Sequence, residues 1–190
     1  MVICDDYERK IVAPFYLTSA HSRISHAIAL CLLFLLPSTS TAQVAFLPKL
    51  KIVFEDERAL VELTPYDLDN LPQQSIETHS PYYKGSIEFS GPVLADLLNS
   101  VAGGDIEDNT KVSLYALNNY FVHTTMGELK EADALLATRK EGDRLSIRER
   151  GPYWVILPLS EREELDSEHY HKLMVWQLNK IKLGGQHARD

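Results

Sequence analysis

A chain of 190 residues with 27 acids against 19 lysines and arginines, formal net charge −8, is about one domain of ordinary globular composition. Such acidity argues against nucleic acid or an acidic membrane surface as main partner, because both need basic patches. Both cysteines, Cys4 and Cys31, precede position 43, so the remainder offers no disulfide, no thiolate nucleophile and no cysteine-ligated metal site.

The first segment reads as a leader. Ala27–Leu36, AIALCLLFLL, has the length of a signal-peptide apolar stretch and is too short to span a bilayer. Arg23, His21 and His26 precede it, Pro37 breaks it, and Ser40 and Ala42 are small residues at −3 and −1 for cleavage before Gln43. Leu30 is too large to precede a lipoprotein cysteine at Cys31. Asp5, Asp6 and Glu8 make the front end long for a leader, so either translation starts downstream of Met1 or residues 1–20 are a dispensable extension. The reading is therefore residues 1–42 as N-terminal extension and signal peptide and 43–190 as one domain, periplasmic or secreted, with no stable membrane insertion after cleavage.

In the domain, Lys51–Phe54 and Ala59–Leu63 alternate as strands around the charged Glu55-Asp56-Glu57-Arg58 turn. Thr64-Pro65-Tyr66-Asp67 carries a cap, a proline at the first helical position and an acid in the first turn. Ser75–His79 and Ser86–Phe89 predict strands flanking a loop with Pro81 and Gly85. Pro92 then opens a helix in which Val93, Leu94, Leu97, Leu98 and Val101 share one face, and Gly103-Gly104 closes it. Lys111–Leu117 and Tyr120–Thr124 alternate about the Asn118-Asn119 turn, and Thr125 to Glu128 has capping-box spacing. Ala134–Thr138, Leu145–Arg148, the apolar run Tyr153–Leu157 and Met174–Leu183 predict further strands. Ser160 to Glu163 repeats the capping box ahead of Glu161–Lys172, and the tail from Gly184 reads as frayed. Many short strands with a few short helices predict a mixed α+β, sheet-dominated domain.

Several of these pieces stand in a recognisable order. They are LPQ with its strand (Leu71–Ile76), FxGxxLxDLL (Phe89, Gly91, Leu94, Asp96, Leu97, Leu98), ALNNY (Ala116–Tyr120), LAT-x(3)-G-x(2)-LS (Leu136–Ser146), GPYWVILP (Gly151–Pro158) and WQLxxI (Trp176–Ile181). Spread over residues 50–183, the set resembles the molybdopterin-binding domain of the sulfite-oxidase type, in particular its short, exported, single-domain members. The resemblance implies mixed sheets around a pterin-cofactor cleft. In the catalytic members a cysteine at the end of the strand before the FxGxxL helix ligates molybdenum; Thr78-His79-Ser80-Pro81 stands there in this chain. Neutral His or un-ionised Ser replaces a soft thiolate poorly, and the arginine-rich substrate pocket of sulfite oxidation is not evident. The fold thus carries over and the redox chemistry does not.

Candidate ligand-binding residues follow. His79 and Ser80 occupy the position of the family's metal ligand. Asn118, Asn119 and Tyr120 carry amides and a phenol suited to a polar edge, although an asparagine pair is also ordinary turn chemistry. Arg148 and Arg150 are the anion-binding candidates of a group that includes Arg139 and Arg144; Glu141, Asp143 and Glu149 between them make a self-paired hairpin the competing reading. Tyr82-Tyr83 is a candidate aromatic lip, and Trp154 and Trp176 read as core. His169 and His171 point about 200° apart on a helix and cannot share a metal there; no catalytic residue and no metal site is assigned. The leading function is an exported, non-catalytic accessory, sensory for example, that binds an unidentified small ligand or a membrane or periplasmic protein, with no cofactor. The first alternative is an oxidoreductase, or a subunit of one, holding molybdopterin without a cysteine ligand; the second is a structural adaptor with a vestigial cleft.

Overall fold

The computed structural model describes residues 48–54 and 60–184; the leader, the Glu55–Arg58 turn and the tail beyond Gly184 lie outside these residues. β1 (Leu50–Phe54) and β2 (Leu60–Leu63) pair antiparallel, and alternation in β1 buries Leu50 and Ile52 completely while Lys51 stays exposed. The last strand, β11 (Leu178–Leu183), runs parallel to β1. It also pairs with β5 (Lys111–Ala116), which forms a hairpin with β6 (Phe121–Thr125). The resulting five-stranded sheet has the order β2-β1-β11-β5-β6.

A four-stranded sheet, β3-β4-β8-β9, joins β3 (Gln74–Thr78), β4 (Ile87–Gly91), β8 (Arg139–Lys140) and β9 (Asp143–Arg144). A third, two-stranded sheet pairs β7 (Leu135–Ala137) with β10 (Trp154–Ile156), and every residue of it is buried. That burial is why both segments read as continuous apolar runs rather than as alternation. The architecture is the sheet-dominated α+β arrangement expected.

Helix starts follow capping chemistry where local groups decide. In α1 (Pro65–Asp69) the Thr64 hydroxyl accepts from the Asp67 N–H, and the Asp67 carboxylate accepts from the Thr64 N–H at 2.7 Å. α2 (Leu94–Ala102) buries Leu94, Leu97 and Leu98 and ends on Gly103 at φ +76°, the left-handed cap that favours glycine. Its start differs from the expectation at Pro92. Pro92 and Val93 stay extended because β7 claims them: Leu136 N–H donates to the Pro92 carbonyl and Leu94 N–H to the Ala134 carbonyl. α3 (Met126–Glu131) is capped by Thr125, but the Glu128 carboxylate accepts from Thr124 and contacts His169 instead of returning to the cap.

Three expectations are corrected. Leu145–Arg148 is not a strand; after β9 the chain turns through a 3₁₀ segment, Ile147–Glu149, with Gly151 N–H donating to the Ser146 carbonyl. Ser160 caps no helix, because its hydroxyl is taken by His79. The following segment forms a 3₁₀ turn (Glu163–Leu165) and then α4 (Glu168–Leu173). Met174–Gln177 does not join β11: Trp176 bridges to Trp154, Val155 N–H donates to the Val175 carbonyl, and Gln177 has φ +52°. Trp154, fully buried, donates from Nε1 to the Met174 carbonyl at 3.0 Å and pins this crossing.

Candidate functional site

The crossing of Met174–Gln177 leaves a cavity of about 360 Å³ between three elements: the β3–β4 loop, the β5–β6 turn and the end of α4. Tyr82, Asn118, Tyr120, His171, Met174 and Trp176 are among its walls. The last carbonyls of a short helix have spare acceptor capacity, and tyrosines use it here, the His171 carbonyl also accepting the Met174 N–H. Tyr82 donates to the His171 carbonyl at 3.2 Å and Tyr120 to the Lys172 carbonyl at 3.1 Å. Trp176 meets the Tyr82 ring edge-on, with centroids 4.8 Å apart. Burial raises the Tyr82 phenol above its ordinary value; Tyr120 adds to this and Arg150 opposes it. The phenol is therefore a neutral donor at physiological pH. The cavity is an aromatic slot with an amide, an imidazole and the paired charges of Glu168 and Lys172 (2.8 Å) at its edge, a make-up common in small-molecule sites.

Beside it runs a polar relay. Asp166 lies with Oδ2 3.1 Å from His79 Nε2 and Oδ1 2.6 Å from His171 Nε2. A carboxylate only accepts, so both Nε2 atoms carry protons, which assigns the tautomers. His79 Nδ1 is then free to accept from the Ser160 hydroxyl at 2.9 Å, while Ser160 Oγ accepts the His79 backbone N–H at 2.8 Å. Serine, histidine and aspartate thus stand in hydrogen-bonded order, but the ring nitrogens are exchanged relative to a hydrolase triad. The Ser160 N–H, a natural oxyanion donor, is already given to the Thr78 hydroxyl. The arrangement ties the β3–β4 loop to the connection between β10 and α4 and to α4 itself.

The same network bears on molybdopterin. At the position where the resemblance places a metal thiolate, Thr78 is fully buried with its hydroxyl donating to the His79 carbonyl. Ser80 is 5% exposed and accepts the Tyr82 N–H, and His79 is bonded at both ring nitrogens. These donors are neutral oxygens and an imidazole already committed to protein partners. They do not fit a metal that takes a soft anionic ligand.

The arginines divide into two groups. Arg139 and Arg144, cross-strand neighbours in β8 and β9, both contact Asp69 of α1, Arg139 at 3.1 Å. They clamp α1 to the hairpin rather than pairing with Glu141 or Asp143. Arg148 is exposed in the 3₁₀ turn. Arg150 is half-buried at φ +70°, and its guanidinium carbon lies 4.9–5.8 Å from the ring centroids of Tyr82, Tyr83, Trp154 and Trp176.

Among the residues singled out from sequence, Asn118 and Tyr120 line the cavity. His79 joins it through Asp166 and His171, and Ser80 shapes the loop. Arg150 touches the cavity's aromatic walls from the neighbouring segment. Asn119 turns the hairpin at φ +66°, and Arg148 is not among the lining residues. Trp176, expected in the core, is half-buried and forms a wall. Asp166 and Ser160 carried no local signal, since their partners are 87 and 81 residues away. His169 and His171 diverge on α4, to Glu128 and Asp166, as their spacing requires.

No family model matches this chain, and no curated protein does. Among solved structures it is similar to the sulfane dehydrogenase SoxCD from Paracoccus pantotrophus, with TM-score 0.52 and 16% identity over 72% of this chain. The match covers 38% of that chain. The likeness is one of fold alone, a distant one, and it agrees with the sheet-dominated α+β architecture expected from the sequence.

Proposed function

We propose that the domain binds a small ligand in the Tyr82–Trp176 cavity and acts as a non-catalytic accessory of an exported system. The carrying observation is an aromatic slot lined by Tyr82, Tyr120 and Trp176 close to Thr78-His79-Ser80, whose side chains are neutral and committed to hydrogen bonds within the protein. The export signal read in residues 1–42 supports a periplasmic or secreted setting. Nothing in this reading requires electron transfer.

Analysis of the exported protein for molybdenum and fluorescent pterin, after expression in a molybdenum-replete host, tests it. Both are expected at well below stoichiometric amounts. One metal and one pterin per chain would overturn the non-catalytic reading in favour of an oxidoreductase that holds the cofactor without cysteine.

A further inference from the structure

We propose that Arg150 is an anion-docking residue and that the ligand of the aromatic cavity is a small organic anion with a flat apolar body. The proposal rests on the cavity being a ligand site. Its own basis is an imbalance of donors. Arg150 makes no ion pair or side-chain hydrogen bond with any described residue; its contacts are with rings. A guanidinium against aromatic faces keeps its in-plane N–H groups available, and that fork matches a carboxylate or a phosphate. Lys140 adds a second charge, 4.7 Å from the Tyr83 ring centroid and likewise without an ion pair among described residues. The Tyr83 hydroxyl is buried with no partner, a third donor lacking an acceptor at the same ring.

In a protein of net charge −8 nearby acids would be expected to fill such a gap, but two on the same segment are engaged elsewhere. Glu141 accepts the Glu88 N–H at 2.9 Å, and Glu149 accepts from the Ser146 hydroxyl at 3.1 Å. Leaving donors without acceptors costs free energy unless water or a ligand answers them. Tyr82 and Trp176 belong both to the cavity wall and to the rings around Arg150. Arg150 itself is not among the lining residues, so one molecule would lay an apolar ring on these shared aromatics and reach past their edge with its acid group to the guanidinium.

The test uses the chain's two tryptophans, whose rings lie 5.5 and 5.6 Å from Arg150. Their fluorescence is followed while the full chain is titrated with benzoate, with its uncharged isostere benzamide, and with sulfate. Benzoate is expected to give a saturable change, to bind about tenfold or more tightly than benzamide, and to be displaced by sulfate; a charge-assisted bond contributes on that scale. Arg150→Met should abolish the preference for benzoate and leave benzamide unchanged, and Arg148→Met should alter neither. Equal binding of the two probes, indifferent to Arg150→Met, would overturn anion docking and leave the cavity reading standing. No saturable response to any probe in the wild type would overturn both. If circular dichroism shows Arg150→Met to be unfolded, Arg150→Lys replaces it: the benzoate preference should shrink, and an unchanged preference counts against the proposal.

Discussion

Asp166 shows how one side chain joins separated loops. Its carboxyl is held below the ordinary aspartate range first by the hydrogen bond from His79 and then by that from His171. A carboxylate whose folded value lies below its unfolded one, about 3.9, stabilises the fold above that unfolded value and loses the contribution as pH falls through the folded one. Urea midpoints taken downwards from about pH 5 should therefore fall more steeply for the wild type than for Asp166→Asn, which has no such proton to take up. The group is 43% exposed, so solvent screening keeps the difference small. Parallel acid limbs for the two proteins would show that the two-histidine contact does not act in solution.

The decisive element is the seam where β4 passes into α2 against β7. Gly91 lies so close to β7 that a Cβ there would fall on the Leu136 carbonyl oxygen, and backbone cannot move aside as a flexible side chain can. Gly91→Ala should cost about 3 kcal/mol or more, read as a lowered denaturant midpoint. A change below about 1 kcal/mol would mean that β4 shifts easily. This seam also explains the displaced start of α2. Pro92 is an ordinary first helical residue by local rule, yet pairing with Leu135 and Leu136 keeps it extended. Similarly, Ser160 and Glu163 have capping-box spacing, but a partner distant in the chain, His79, takes the serine first.

For the molecule as a whole, the domain contains a sheet in which β1 and β11, early and late in the chain, lie side by side in parallel, so distant segments of the chain are joined in one sheet. Intact mass and N-terminal sequencing of the exported protein should find Gln43 first; a product retaining Met1 would refute cleavage there. The sequence by itself determined the α+β class and most strand and helix positions, because alternation, capping residues and turn pairs act over a few neighbours. Thr64, Gly103 and Asn118-Asn119 perform in the structure the local roles their types dictate. It also marked Asn118, Tyr120 and Arg150 as residues to watch. Tertiary structure alone decided that Trp176 leaves the core to wall a cavity, that Asp166 and Ser160 lock His79, and that Arg150 is ringed by aromatics with no ion pair to any described residue. These facts depend on contacts between residues tens of positions apart in the chain, and no local period or spacing records which distant groups will meet.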